Sequence, residues 1–288
     1  MESQHINNEF EKINLDDYIQ TGEGGTSISY THKTRNAVIR LYKPGTEADR
    51  VKEDFLTSRT VFDLGVPSPE PYRLVTDGER FGAEYELIKD KRSFSRIISE
   101  EPERLKELSV LFAQKAKELH SIKADTTRLR SAKDIMRRFY TEKNVVPEFY
   151  KIKVLNFLEK IPDKPNCLHG DLQISNLITD GKRTLWIDLG DFCYGVPEWD
   201  LSWGGGMFAH IDDNRADNLF HLKHEDLLAH WNIFLSSYLG TNDPQQIADA
   251  TKRLIPFYAI RLPYMIDMAQ FRPLPMAAYE HYAHLFDD

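Results

Sequence analysis

Up to Ile88, short runs of alternating apolar and polar residues dominate the chain, and beyond it helical spacing takes over. Ala37-Val38-Ile39-Arg40-Leu41-Tyr42 predicts a strand closed by Pro44-Gly45, and residues 72–75 and 83–88 predict two more, flanking a turn at 76–79. Between them, Val51, Phe55, Val61 and Leu64 recur among charged residues at helical spacing, with Gly65 as a stop, so residues 47–64 predict a helix. Further amphipathic helices are predicted over 102–122, 132–142, 147–160, 225–238 and 244–268, with a β island at 176–188 in their midst. No internal repeat or low-complexity linker interrupts this order. The pattern predicts an α+β chain with a small β-rich lobe at 1–88, holding one main helix, a hinge near 87–91, and a larger helical lobe at 89–288.

The β island carries the chemistry. Two apolar runs flank an Asp-Gly turn, so residues 176–188 read as a hairpin whose open end presents Asn176 and Asp188. An amide oxygen and a carboxylate are hard ligands suited to Mg²⁺, which leaves its other positions to water and phosphate. Asp171, just upstream, is placed to take a proton from an attacking hydroxyl, and His169 is expected to brace its loop through backbone hydrogen bonds. Asp191 is read either as a further metal ligand or as a bonding group of its own loop.

The ordered set H-G-D-x-x-x-x-N (His169 to Asn176) followed by I-D-L-G-D (Ile187 to Asp191) resembles the aminoglycoside phosphotransferase and choline kinase group of small-molecule kinases. The resemblance implies a protein-kinase-like two-lobed fold, with Asp171 catalytic and Asn176 and Asp188 at the metal. It further implies that Gly22, Gly24 and Gly25 cover the phosphates, although Ser27 replaces the last glycine of the G-x-G-x-x-G pattern. Arg40 stands where the family has a lysine gripping the phosphates. Glu53 is its expected helix partner, with Glu47 and Asp54 as alternatives, and the backbone around Glu86, Leu87 and Ile88 is expected to take the adenine edge. Gly195 to Leu201 resembles the family's G-D-P-x-x-D-L segment, with Asp200 as a loop anchor. Gly170 replaces the arginine of H-R-D and no A-P-E segment follows, which points away from protein acceptors.

Composition then narrows the partners. A net charge of -8 argues against binding a nucleic-acid backbone, and no stretch is apolar for long enough to span a membrane. Two cysteines without C-x-x-C spacing, and a start lacking a basic then apolar leader, predict a reducing cytoplasm. Cys167 and Cys193 are expected as small buried hydrophobes. Trp231, Phe234 and Tyr238, and Phe257, Tyr258 and Tyr264, fall at helical spacing and are expected in the core. His210, Asp212 and Asp213 follow Gly204-Gly205-Gly206, a run that reads as flexible, and are expected on an exposed loop, with a border of the acceptor site as the alternative role. The expected function is ATP- and Mg²⁺-dependent phosphorylation of a small polar hydroxyl compound. The alternative is a nucleotide-binding, pseudokinase-like regulator, suggested by Arg40 and Ser27.

Overall fold

The computed structural model describes residues 9–287. They divide into two compact units, one running up to Arg92 and including Ile178–Asp191, the other made of Ser93–Leu177 and the chain from Phe192 onward. In chain order the first stretch holds β1 (Glu11–Lys12), β2 (Tyr18–Glu23), β3 (Ser27–His32), β4 (Ala37–Tyr42), α1 (Ala48–Asp63), β5 (Pro71–Thr76), β6 (Phe81–Glu86) and β7 (Arg92–Ser93). Next come α2 (Phe94–Glu100), α3 (Leu105–Ser121), β8 (Arg130–Ser131), α4 (Ala132–Glu142), α5 (Glu148–Lys160), β9 (Asn166–Leu168), β10 (Leu177–Thr179), β11 (Thr184–Trp186) and β12 (Cys193–Gly195). The chain closes with α6 (Glu198–His210), α7 (Asp213–Phe220), α8 (His224–Leu239), α9 (Pro244–Met268) and α10 (Met276–Ala283).

The first unit is a sheet of order β1-β5-β6-β4-β3-β2, antiparallel except for β1 on β5. Period-two alternation gives β4 two faces. Ile39 and Leu41 pack with Tyr18 and Val75, whereas Tyr42 packs with Val51 and Phe55 of α1. Arg40 shares the parity of Tyr42. Helix α1 ends at the predicted glycine: Gly65 takes φ 80°, its N–H reaches Phe62 O and the Val66 N–H reaches Val61 O, the two bonds of a Schellman motif. The predicted hairpin also forms. Gly181 has φ 85°, and the Asp180 carboxylate accepts the N–H groups of Lys182 and Arg183, which hold its pKa down at about 2.

The second unit is mostly helical, with α3 packed on α8 and α6 on α9, and with β12 pairing antiparallel to β9 and parallel to β8. Helix α9 spans the predicted 244–268 despite Pro256 and Pro263. Proline has no N–H, so Pro263 cannot bond Ala259 O one turn back. The Tyr150 hydroxyl donates to that carbonyl at 2.9 Å, and the Tyr140 hydroxyl to Ile260 O at 2.9 Å. One buried phenol therefore stands in for the bond that Pro263 cannot make, and a second adds a donor to the neighbouring carbonyl.

Two expectations are corrected here. Gly204, Gly205 and Gly206 lie inside α6 rather than in a flexible run, because large rings press on the helix: a β-carbon on Gly205 would come within 2.4 Å of Trp231, and one on Gly206 within 2.1 Å of Tyr258. His210 ends α6, Asp212 caps α7 by accepting from Arg215 N, and Asp213 opens α7, so this segment is two helix ends rather than a loop. All three are exposed. The opening Met1-Glu2-Ser3-Gln4-His5, read as lacking a leader, lies outside the described residues.

Candidate active site

The second unit builds the loop that carries Asp171. Strand β9 delivers the chain into His169, and Gly170 takes φ 82°, a left-handed conformation that glycine adopts without steric cost. That turn exposes two successive N–H groups to one acceptor. Asp200 of α6 takes His169 N–H at 2.7 Å and Gly170 N–H at 2.9 Å. His120 of α3 bonds the same carboxylate at 3.0 Å through Nε2, and its Nδ1 meets the Tyr238 hydroxyl at 2.7 Å. Burial alone would raise the pKa of Asp200, but the His120 bond and the nearby His120, His169 and Arg261 outweigh it and hold the carboxyl below its usual range. Asp200 thus anchors the loop, and His169 braces it by accepting Asp171 N–H at Nδ1, 3.3 Å away.

Three neutral donors fix the Asp171 carboxylate. Trp203 Nε1–H reaches Oδ1 at 3.2 Å, and the amides of Gln173 and Asn176 reach Oδ2 at 2.8 and 3.0 Å. The Asn176 amide also donates to Asp171 O at 2.9 Å. Because its NH₂ is turned to Asp171, the planar amide directs its oxygen the other way, as a cation ligand requires. Asn176 immediately precedes β10.

The first unit holds the remaining expected residues. Asp188 follows β11 with φ 63°, a conformation that costs a non-glycine residue about 1–3 kcal/mol and tends to persist at functional positions. Its carboxylate is 56% exposed and accepts Arg40 NH1 at 3.1 Å. Arg40 Nε donates to the Ser27 hydroxyl at 3.2 Å, Ser27 lying diagonally across the β3/β4 ladder from Arg40 on the same face. Burial works against the Arg40 charge, but Asp188 and the ring hydroxyls of Tyr85 and Tyr42 more than compensate, so its pKa rises.

Glu53, expected beside Arg40, is exposed and is not brought to it; Arg40 turns to Asp188 instead. Asp54 is the α1 carboxylate that faces the sheet. It accepts the Tyr42 hydroxyl at 2.7 Å and lies against Gly190, and burial raises its pKa although the Tyr42 bond and Arg50 oppose the shift.

Gly22 ends up in β2, paired with Ser29 past a bulge, while Gly24 and Gly25 form the tip of the β2/β3 turn, closed by Gly24 N–H to Ser27 O at 2.8 Å. None of the three has positive φ, and a β-carbon on Gly25 would meet nothing within 4 Å. Backbone conformation does not demand glycine there, which leaves the bareness of an exposed loop as the reason for it. At the end of β6, the Glu86 and Leu87 N–H groups are engaged by Glu70 O and Asn36 O, and the Glu86 side chain pairs with Arg183. Ile88 packs with Ile178 and Leu185, and Ile187 lies against them.

Among the described residues no group of three or more His, Cys, Asp or Glu is arranged to hold a metal. An amide oxygen such as that of Asn176, and a carboxylate such as that of Asp188, are each by chemistry hard donors of the kind that suits a divalent cation bound mainly by water and phosphate.

The sequence matches the model of the phosphotransferase enzyme family over residues 22–231. The chain belongs to this phosphotransferase family. No curated protein sequence matches it. Among solved structures it is similar to an ethanolamine kinase of Plasmodium vivax, with 18% identity, a TM-score of 0.57, and coverage of 94% of this chain and 81% of that one. It is also similar to a choline/ethanolamine kinase family protein of Mesorhizobium loti, at 14% identity and a TM-score of 0.55, covering 94% of this chain and 88% of that one. A thermostable mutant of the aminoglycoside phosphotransferase APH(4)-Ia, solved as a ternary complex with AMP-PNP and hygromycin B, gives 13% identity and a TM-score of 0.51 over 85% of this chain and 94% of that one. At these identities the likeness concerns the fold, and it bears out the kinase-like α+β class read from the H-G-D-x-x-x-x-N run.

In this phosphotransferase family member, the residues around Asp171 that sequence reasoning missed are Trp203, Gln173, His120 and Arg261. Arg261 left a usable signal as the single charge in the apolar run 257–266. Trp203 left a weaker one, three residues after Asp200 on what proves to be the same helix. Among the described residues no helix is long and apolar enough to cross a membrane.

Proposed function

We propose that this family member is a small-molecule kinase that moves the γ-phosphoryl group of ATP, with Mg²⁺, to a hydroxyl of a small polar acceptor. The observation that carries the reading is the Asp171 carboxylate, oriented by donors from Trp203, Gln173 and Asn176. A carboxylate so held keeps its direction, a property asked of a proton acceptor. The acceptor oxygen bonds to phosphorus, the bond from phosphorus to the β,γ-bridging oxygen breaks, ADP leaves, and the hydroxyl proton passes to Asp171.

Asn176 and Asp188 would hold Mg²⁺, which when bound neutralises phosphate charge. Arg40 supplies a guanidinium whose fork matches phosphate oxygens, and the bare loop at Gly22, Gly24 and Gly25 allows backbone N–H groups to approach them. Ile187, packed on the buried Ile88 and Ile178, offers an apolar surface for the adenine ring beside the chain at Glu86. A cytoplasmic setting suits the buried thiols, and burial pushes that of Cys167 up to about 12.

The test is ADP release by the purified chain with ATP and Mg²⁺ across amino alcohols, sugars, nucleosides and aminoglycosides, using Asp171→Ala as the blank. Turnover on one acceptor class that vanishes in the blank supports the proposal; nucleotide binding without turnover on any of them overturns it. A second reading, a nucleotide-binding regulator without turnover, is favoured by one observation: Arg40 already pairs with Asp188. It predicts ATP binding that is indifferent to Mg²⁺.

A further inference from the structure

Arg261 is 7% exposed on α9, thirty positions beyond the residues that the family model matches, if counted from Trp231. A buried guanidinium is costly unless its donors are satisfied and its charge is countered. Here NH1 donates to Trp199 O at 3.0 Å and NH2 donates to Gly170 O, the carbonyl just before Asp171. The cation also lies over the Trp203 ring, 5.0 Å from its centroid, and Trp203 is the indole that donates to Asp171 Oδ1. One side chain therefore reaches Asp171 by two routes, along the backbone and through an aromatic ring.

We propose that Arg261 is a positioning residue for the phosphoryl transfer, holding Gly170 in its left-handed turn and pinning Trp203 so that the Asp171 carboxylate keeps one direction. The inference rests on Asp171 being the proton acceptor. It goes beyond that reading by giving a residue outside the matched segment control over the reaction. Displacing a reacting group by about 1 Å can cost about a hundredfold in rate. Ground-state binding of the nucleotide does not draw on this contact.

The test uses the full chain with Arg261→Met and, against misfolding, Arg261→Lys and Trp203→Phe. The structural control is Tyr140→Phe, which removes a buried bond to α9 one residue from Arg261 without touching the loop. Arg261→Met should lower kcat about tenfold to a hundredfold with KM for ATP within about twofold, and Arg261→Lys should recover part of the loss. Combined with Trp203→Phe it should cost no more than the larger single change, because both act through one carboxylate.

A readout independent of turnover is the indole N–H resonance of Trp203, assigned through Trp203→Phe. It should shift in Arg261→Met and in Asp171→Asn and stay in place in Tyr140→Phe. A kcat that falls equally in Tyr140→Phe and Arg261→Met, or a Trp203 resonance unmoved by Arg261→Met in a folded protein, overturns the proposal. If the resonance moves as expected while the parent shows no turnover, the positioning contact stands and the role of Asp171 in catalysis falls.

Discussion

Asp171 and Asp188 are both functional candidates in one short stretch of sequence, and their surroundings differ in kind. Asp171 is held by three side-chain donors on a loop itself anchored by buried Asp200, His120 and Arg261. Asp188 is exposed, in a strained backbone conformation, and paired with one arginine. The contrast suits the proposed roles: a proton acceptor gains from a network that fixes its direction, whereas a metal ligand gains from standing near solvent with a replaceable partner. A solvent-exposed ion pair contributes about 0–1 kcal/mol, little enough for a competing ligand to displace.

The largest effect that would break this contrast is at Asp171. Asp171→Ala should lower kcat about a hundredfold to ten-thousandfold while leaving ATP affinity unchanged in a binding titration. A comparable loss of affinity would mean that Asp171 belongs to the nucleotide end. Asp200→Asn comes next and should cost about 3 kcal/mol in urea unfolding, because a buried partner of His120 and two N–H groups is lost. Folding lowers the pKa of Asp200, so its stabilisation is complete above the ordinary carboxylate range near pH 4 and is lost as pH falls through the lower folded value. The stability gap between parent and Asp200→Asn should therefore shrink only in that acid window.

At the other end, Arg40→Ala should raise KM for ATP about tenfold to a hundredfold, the cost of losing a charge-assisted contact, with a smaller change in unfolding free energy. An unfolding change as large as that of Asp200→Asn would erase the distinction between the two regions. The smallest effect is expected for Ser27→Ala, which removes one hydrogen bond to Arg40 Nε and should raise the same KM by about fivefold, or about 1 kcal/mol. Ser27→Ala and Arg40→Lys should not add, since lysine has no Nε–H to give to Ser27.

What could be read from the sequence follows the range of the interactions involved. Strand β4 and helices α4 and α9 emerged at or within a residue of their observed ends because local periodicity and stop residues specify them. The H-G-D-x-x-x-x-N run was legible because its members lie within one loop. Helix α6 was not, since its three glycines signal flexibility and only Trp231 and Tyr258, far along the chain, explain them. Arg40 was placed on its strand, but its partners could not be chosen: Glu53 was near in pattern, and Asp188 and Ser27 are near in space. Arg261 and Trp203 reach Asp171 only through tertiary packing.

The glycine triplet carries a consequence for the dynamics of the molecule. Each glycine in a helix interior forfeits about 1 kcal/mol of intrinsic helix preference, so α6 would not persist on its own. It exists because Trp231 and Tyr258 cover the space that side chains would otherwise fill. Loss of α6 and departure of those rings are then a single event, and the helix that carries Asp200 and Trp203 cannot fray piecemeal. Its amide protons should exchange with solvent only in openings that also free α8 and α9, which gives the loop around Asp171 the kinetic protection of a core although it lies at the start of a short hairpin.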